Sequence, residues 1–219
     1  MLVPAAGRGE RAGAGAIKQF RPIGGVPMLR RALRPFAAHP LVRRIVVALP
    51  PDVVSHPPAW LAGMAGDRLV LVPGGATRAD SVAAALAALE PGCDVVLVHD
   101  AARPFVTSET IDAVIAAAAA GHAAVAAVPV GDTLKRADEA DETIAETVAR
   151  NHLWRAQTPQ GFPRALLERA YTGRTGLATD DAELVERLGV SVRIVRDRTT
   201  NIKVTTPDDF LLAELLAAR

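Results

Sequence analysis

Short apolar runs rich in β-branched residues alternate along this chain with Ala- and Leu-rich stretches, and that rhythm limits the folds open to it. The runs are Leu2-Val3, Arg44 to Leu49, Leu69 to Val72, Val95 to Val98, Ala123 to Val128 and Val190 to Val195. Between them lie stretches of helical character near residues 28–38, 80–89, 108–120 and 163–170. Strands that are apolar at successive positions, rather than at every second one, are buried on both faces, and helices supply the cover. The pattern therefore predicts an α/β fold: a mostly parallel sheet with helices on both faces. The 219 residues are enough for one substantial core, so a single domain over 1–219 is expected. Aromatic residues make up only 4% of the chain, which leaves Ala, Val and Leu to build that core.

Two helix starts are marked by their chemistry. Asp180-Asp181-Ala182-Glu183 reads as a capping box, and Thr206-Pro207-Asp208-Asp209 as an N-cap, a proline at the first helical position and first-turn acids. Asp180, Asp208 and Asp209 are accordingly read as structural. Residues 111–130 are nearly uncharged, but Asp112, Gly121, His122 and Pro129 interrupt them. They read as a helix ending at Gly121 and a strand from Ala123 to Val128, not as a membrane span.

Composition narrows the function classes. A net charge of +1 creates no overall field toward nucleic acid or an anionic membrane, so neither is an expected partner. The single cysteine, Cys93, leaves no intrachain disulfide framework and suits a cytoplasmic protein. One cysteine and five scattered histidines also argue against a structural zinc site. The N-terminus shows neither the basic region nor the apolar stretch of a signal peptide.

Residues 131–157 break the rhythm, being polar and too long for an ordinary connection. Leu134, Ile144 and Val148 would suit one side of an amphipathic helix. The preferred reading is a hairpin that pairs Thr133 to Arg136 with Thr143 to Val148 around the acidic turn Asp138 to Asp141, because β-branched residues sit at its ends and turn formers in its middle. So little apolar surface suggests an arm that packs on a partner subunit.

Ligands of open α/β sheets bind beyond the carboxyl ends of the strands, and four polar clusters fall there. The first is the loop Gly7 to Lys18, where glycines expose backbone N–H groups and cations are interspersed. Gly7-Arg8-Gly9-Glu10-Arg11-Ala12 formally fits a dinucleotide fingerprint, but the second strand ends Ala48-Leu49-Pro50-Pro51 without the acid that binds ribose. Arg11 and Lys18 are read as phosphate ligands and Arg8 as a solvated cation. The second cluster is Pro73 to Ser81, where Asp80 is read as an N-cap and Ser81 as either a cap or a ligand. The third is Val95 to Pro104, an apolar strand that delivers the Asp100 carboxylate to the ligand edge. Beside phosphates, a lone carboxylate there suits Mg²⁺, and the alternative is a carboxylate satisfied by backbone N–H groups. His99 reads as a packed histidine rather than a base. The fourth cluster is Arg196 to Thr205, in which Lys203, between apolar residues and just before a capped helix, is expected to be held in place. Thr133, Arg150 and Thr158 are polar groups that fit an anion pocket, although composition alone does not single them out.

Taken together, Pro4-Ala5-Ala6-Gly7-x-Gly9-x-Arg11, Lys18-Gln19, Gly74-Gly75 with Arg78-Ala79-Asp80-Ser81-Val82, Val98-His99-Asp100-Ala101-Ala102-Arg103-Pro104, Asp132-Thr133-x-Lys135, Arg150-Asn151-x-Leu153-Trp154, Thr158-Pro159-Gln160 and Asn201-Ile202-Lys203-Val204-Thr205 resemble the 2-C-methyl-D-erythritol 4-phosphate cytidylyltransferases. The resemblance runs in order from residue 3 to the last helix. It implies a Rossmann-like mixed sheet with a protruding β-arm over about 131–157, a homodimer through that arm, and use of CTP and Mg²⁺ on the non-mevalonate route to isoprenoid precursors. Carried to this sequence, it implies that Arg11, Lys18 and Lys203 are catalytic cations and that Asp100 holds the metal. Pro4, Ala5, Ala6, Gly7, Gly9, Gly75, Ser81 and Ala101 would surround the nucleotide. Arg103, Thr133, Arg150 and Thr158 would hold methylerythritol phosphate, with Arg150 reaching the neighbouring subunit. Ile17 and Ala76 depart from the family pattern, at places often taken by proline and an acid, and the first strand is short, with only Leu2 and Val3 of its apolar run ahead of Pro4.

The expected chemistry is in-line attack of the acceptor phosphate on the α-phosphorus of CTP. A cytidylyltransferase acting on another polyol phosphate, such as ribitol 5-phosphate, is the nearest rival. A nucleotide-binding scaffold with an inactive site and an NAD-dependent dehydrogenase are more distant ones.

Overall fold

The computed structural model describes residues 1–7, 17–138 and 143–218. Strand β1 (Leu2–Pro4) is followed by a 3₁₀ turn (Lys18–Phe20), a small hairpin of β2 (Pro22–Ile23) and β3 (Val26–Pro27), and helix α1 (Met28–Ala38). Then come β4 (Ile45–Leu49), α2 (Pro51–Ser55), α3 (Ala59–Ala62), β5 (Leu69–Pro73), α4 (Arg78–Ala87), β6 (Val95–Val98), α5 (Ser108–Ala119) and β7 (Ala123–Pro129). A second hairpin, β8 (Leu134–Ala137) with β9 (Ile144–Val148), leads to β10 (Trp154–Pro163), α6 (Arg164–Thr172), α7 (Asp181–Glu186), β11 (Val192–Arg196) and α8 (Pro207–Ala217).

The main sheet has seven strands in the order β11-β7-β10-β6-β1-β4-β5. Only β10 runs against the rest, pairing antiparallel with both β6 and β7, while the other neighbours pair in parallel. The carboxyl ends of six strands therefore share one edge. Strand order reverses at β1, from which the chain fills one side with β4 and β5 and then crosses to β6. Such a reversal opens a crevice above the sheet.

The apolar runs of the inner strands β1, β4, β6 and β7 are buried on both faces, as their composition predicts, whereas the edge strands β5 and β11 are only partly covered and Ile194 is exposed. Ile45, Val47 and Leu49 of β4 pack with Leu29, Leu33 and Phe36 of α1 and with Ile111 and Val114 of α5. Val46 and Ala48 face the other way, among Val82, Ala85 and Leu86 of α4, Leu167 of α6 and Leu184 of α7. A third, smaller core of Ile23, Met28, Ala102, Val204, Phe210 and Ala213 seats α8 beside the sheet edge.

Helix α5 ends as its sequence suggests. Gly121 has φ +88°, and the N–H groups of Gly121 and His122 close on the carbonyls of Ala118 and Ala117, which is the Schellman arrangement. Helix α8 carries the full capping box of Thr206 and Asp209. At α7 only half of the expected box forms. Asp180 accepts from the N–H of Glu183, but the Glu183 carboxylate reaches back one residue further, to Thr179. Helix α4 begins two residues earlier than its apolar pattern indicates. Its N-cap is Thr77, not Asp80, which instead sits three positions on and returns a bond to Thr77 N–H.

Residues 134–137 and 144–148 pair antiparallel, so the hairpin is the form the excursion takes. Its predicted turn falls largely on residues 139–142, outside the described ones. Strand β10 is the one sheet member that composition did not mark. It is ten residues long, lies between β6 and β7, and accommodates polar residues through a register break between Ala156 and Gln160.

Candidate active site

A cleft of about 330 Å³ opens at the carboxyl edge of β1 and β6. Its floor is the backbone that leaves β1. Ala5 N–H donates to Ala48 C=O at 2.7 Å, and the buried Gln19 side chain donates to Ala5 C=O at 2.5 Å, so this segment is pinned from both sides. Opposite lies the loop after β5. A side chain on Gly74 would strike Ala6 and Ser81, and one on Gly75 would strike Asp80, so both positions need glycine for the two loops to approach. The Ser81 hydroxyl is buried; it accepts from Gly75 N–H at 3.2 Å and donates to Thr77 C=O at 3.0 Å. It braces the loop rather than capping the helix.

Two cations from opposite ends of the chain converge here. Lys18 Nζ donates to Val204 C=O at 3.0 Å, and Lys203 Nζ lies 2.9 Å from Asp100 Oδ2. Val204 N–H donates in turn to Ala102 C=O at 2.8 Å, tying the Lys203 segment to the turn that carries Asp100.

Asp100 is the centre of the charge arrangement. Its carboxylate meets Arg78 Nε at 3.1 Å, Lys203 Nζ at 2.9 Å and, more loosely, Arg103 Nε at 3.8 Å. Burial opposes ionisation of this group, but the charges of Arg78 and Lys203, the Lys203 hydrogen bond and the Arg103 charge outweigh it. They hold the carboxyl well below the usual carboxylate range. Its partners are thus cations, which sets aside the alternative of a carboxylate satisfied by backbone N–H groups.

A second cavity of about 210 Å³ lies on the other side of Asp100. Arg78, Asp100 and Lys203 line both cavities, forming a charged partition between them. Arg103 and Thr158 line the second one, and both are buried. Arg103 Nη1 donates to Asn201 C=O at 2.8 Å, and Thr158 Oγ1 accepts from Asp100 N–H at 3.0 Å. His99 completes this layer, with Nε2 3.0 Å from Arg103 C=O and Nδ1 3.0 Å from Thr158 Oγ1. A carbonyl only accepts, so Nε2 carries the proton and Nδ1 accepts from the threonine. Burial pushes the His99 imidazole down to about 4, and it stays neutral near pH 7. Both ring nitrogens are engaged, which suits the structural role that its sequence context suggested.

Among the residues singled out in the sequence, Pro4, Ala5, Ala6, Gly7, Lys18, Gly75, Ser81, Asp100, Ala101 and Lys203 line the larger cleft. Gly9 and Arg11, with Arg8, lie outside the described residues. Thr133 and Arg150 line neither cavity; both are exposed beside the hairpin, where Arg150 Nη1 donates to Gly131 C=O. Arg78 enters the sequence only as part of the motif Arg78-Ala79-Asp80-Ser81-Val82, with no role of its own, yet it is central to the partition. Its contribution depends on Asp181, more than a hundred residues away, a relation that local pattern does not encode.

Among the described residues, no group of three or more acidic, histidine or cysteine side chains is arranged so that it could hold a metal ion. A divalent cation at this edge would therefore rest on Asp100 and on oxygens brought by a ligand. Mg²⁺ accepts that donor set, since it is held by one or two carboxylates together with substrate phosphates and water.

Residues 1–219 match the family profile of 2-C-methyl-D-erythritol 4-phosphate cytidylyltransferase. The chain is 47% identical to the protein of that name from Frankia casuarinae, over all of this chain and 80% of the relative. It is 46% identical to the one from Streptomyces coelicolor, over all of this chain and 84% of the relative. Among solved structures, it is similar to the crystal structure of 2-C-methyl-D-erythritol 4-phosphate cytidylyltransferase from Thermus thermophilus, with a TM-score of 0.82 and 40% identity over 100% of this chain and 98% of that one.

Proposed function

The chain belongs to the 2-C-methyl-D-erythritol 4-phosphate cytidylyltransferase family, and from that premise we propose how its two cavities divide the work. The reaction joins 2-C-methyl-D-erythritol 4-phosphate to the cytidylyl group of CTP, releases pyrophosphate and serves isoprenoid precursor biosynthesis. One observation carries the division: the partition of Arg78, Asp100 and Lys203 faces both cavities at once. The nucleotide occupies the larger cleft, against the Pro4 to Gly7 backbone, Gly75, Ser81 and Ala101. The acceptor occupies the smaller cavity beside Arg103 and Thr158. The two phosphates then meet at Lys203 and Asp100.

A phosphate monoester, with a second pKa of about 6, is mostly dianionic at pH 7 and needs no base to attack. Its oxygen forms a bond to the α-phosphorus of CTP while the bond to the pyrophosphate oxygen breaks and that oxygen leaves with the electron pair. A neutral, fully engaged His99 is consistent with this. What the site must supply is alignment of the two anions and relief of their repulsion, and Lys18, Lys203 and Arg11 provide the positive charge. Asp100 would hold Mg²⁺, which when bound neutralises charge on the phosphate oxygens.

The hairpin of β8 and β9 serves, in this reading, as the dimerisation arm. A two-stranded ribbon is marginally stable by itself, and this one leaves Ile144 exposed. Pairing with a second copy would cover Ile144 and carry Thr133 and Arg150 to the partner's acceptor cavity. Ile144→Asp is expected to shift a dimer to monomer in sedimentation; an unchanged dimer would remove this role from the arm. No helix among the described residues is long and apolar enough to cross a membrane, and we assign the protein to the cytoplasm.

Lys18→Ala and Lys203→Ala are each expected to lose turnover by about 10²–10³-fold while remaining folded. The assay measures pyrophosphate release from CTP and Mg²⁺ with methylerythritol phosphate, and with ribitol 5-phosphate in parallel. Near-normal kcat in either variant would sink its assigned role, and activity restricted to ribitol phosphate would overturn the acceptor.

A further inference from the structure

Arg78 lies between two carboxylates that come from distant parts of the chain. Its Nε is 3.1 Å from Asp100 Oδ1, and its Nη2 is 2.8 Å from Asp181 Oδ2. Asp181 is the first residue of α7 and has no solvent exposure. Its other oxygen accepts from Tyr171 Oη at 2.5 Å. A buried ionised carboxylate is tolerated only when both oxygens are partnered, and here Arg78 and Tyr171 are the partners.

The anchor is itself fixed to the sheet. Gln160 Oε1 accepts from the N–H groups of Asp181 and Ala182 at 3.2 and 2.9 Å, and Gln160 Nε2 donates to Asp180 at 2.7 Å. Gln160 sits on β10 directly opposite Val98 of β6, two residues before Asp100. Asp100 and its counter-anion Asp181 are thus both referenced to the same pair of strands, with Arg78 spanning the gap. The other close cation on Asp100 is different in kind. The Lys203 side chain is 45% exposed, and a flexible ammonium at the partition is free to turn toward a phosphate. Once it does, Arg78 is the cation left in close contact with the Asp100 carboxylate, with Arg103 further off at 3.8 Å.

We propose that Arg78 is a positioning residue for cytidylyl transfer: clamped by Asp181 and Tyr171, it sets the Asp100 carboxylate at the boundary between the two cavities. The proposal rests on the placement of Asp100 at the reacting centre.

The test is steady-state kinetics, with kcat and both KM values, together with thermal melting of Arg78→Gln, Arg78→Lys, Asp181→Asn, Tyr171→Phe and the Arg78→Gln/Asp181→Asn double variant. Arg78→Gln should lower kcat by about 10–100-fold, the range found when a group that orients a ligating carboxylate is lost. KM for CTP should change little. Arg78→Lys should fail to restore kcat, because an ammonium does not span two carboxylates as a guanidinium fork does. Asp181→Asn should lower kcat in the parent protein but add nothing in the Arg78→Gln background, since it acts through Arg78. If Asp181→Asn does not fold, Tyr171→Phe, which removes a single hydroxyl, takes its place in the same double variant. Independent, multiplying effects of the two sites would overturn the proposal. So would lowered melting temperatures with full kcat, or a raised KM with kcat intact, which would make Arg78 a substrate contact. Asp100→Asn separates the levels: normal turnover there overturns the reading of Asp100 and this proposal together. Loss there beside full turnover in Arg78→Gln overturns this proposal alone.

Discussion

The partition at the sheet edge and the hairpin arm contain the same kind of ion pair in opposite settings. Arg78 joins Asp100 and Asp181 across 22 and 103 residues of sequence, and the two acids are 10% and 0% exposed. Arg136 joins Glu146 across ten residues of one hairpin, and both are more than half exposed. Water and salt weaken the second pair, which contributes at most about 1 kcal/mol. Removing one partner of the first would leave a buried charge uncompensated, at about 3–5 kcal/mol. One region therefore has its geometry imposed by the core, while the other keeps a local, solvent-exposed fold.

The sharpest way to break this contrast is at the strand that supports the partition. Phe162 is fully buried on β10 among Val96, Val98 and Leu167. Phe162→Ala is expected to lower unfolding free energy by about 3–5 kcal/mol in urea titration. A loss under about 1 kcal/mol would mean that β10 does not anchor the site.

A slightly smaller effect is expected from pH. His99 has its folded-state value lowered to about 4 from 6.5. The unfolded chain therefore binds a proton that the folded protein refuses. This contribution is fully present above about pH 6.5 and is lost as pH falls toward 4, amounting to about 3 kcal/mol. The urea midpoint should drop between pH 7 and pH 4.5 in the parent protein, with a shallower drop in His99→Gln. Equal slopes would show that another group controls the acid side.

The smallest effect belongs to the arm. Arg136→Ala should change the stability of the isolated subunit by less than about 1 kcal/mol, measured in the same titration. A larger loss would show that the exposed pair is coupled to the body of the protein, which would erase the contrast.

Several parts of the molecule were legible before folding because their causes are local. The continuous apolar runs announced a sheet covered on both faces, and Gly121 and Thr206-Pro207 marked helix ends by their own stereochemistry. The β-branched residues at the ends of the stretch 133–148, with turn formers between them, favoured a hairpin. Elsewhere, local chemistry admitted more than one register. Thr77 and Asp80 are both capping residues, three apart, and in a reciprocal box each bonds to the other, so type alone did not say which came first. Strand β10 escaped notice because Gln157, Thr158 and Gln160 look like surface residues. They are buried because each has a partner elsewhere: Thr158 takes Asp100 N–H, Gln157 reaches Asn201 C=O, and Gln160 holds the start of α7.

By itself the sequence determined the layered α/β architecture, the loops that reach the ligand edge, and the residue types of a phosphate-handling site. Those depend on hydrophobic period, glycine and charge within a few neighbouring residues. Only the tertiary structure decided that Asp100, Lys203 and Arg78 form one wall between two cavities and that Asp181 stands behind it. These side chains come from four separate segments, and their meeting follows from strand order and burial. A charge removed from water must find its partner wherever the fold places one.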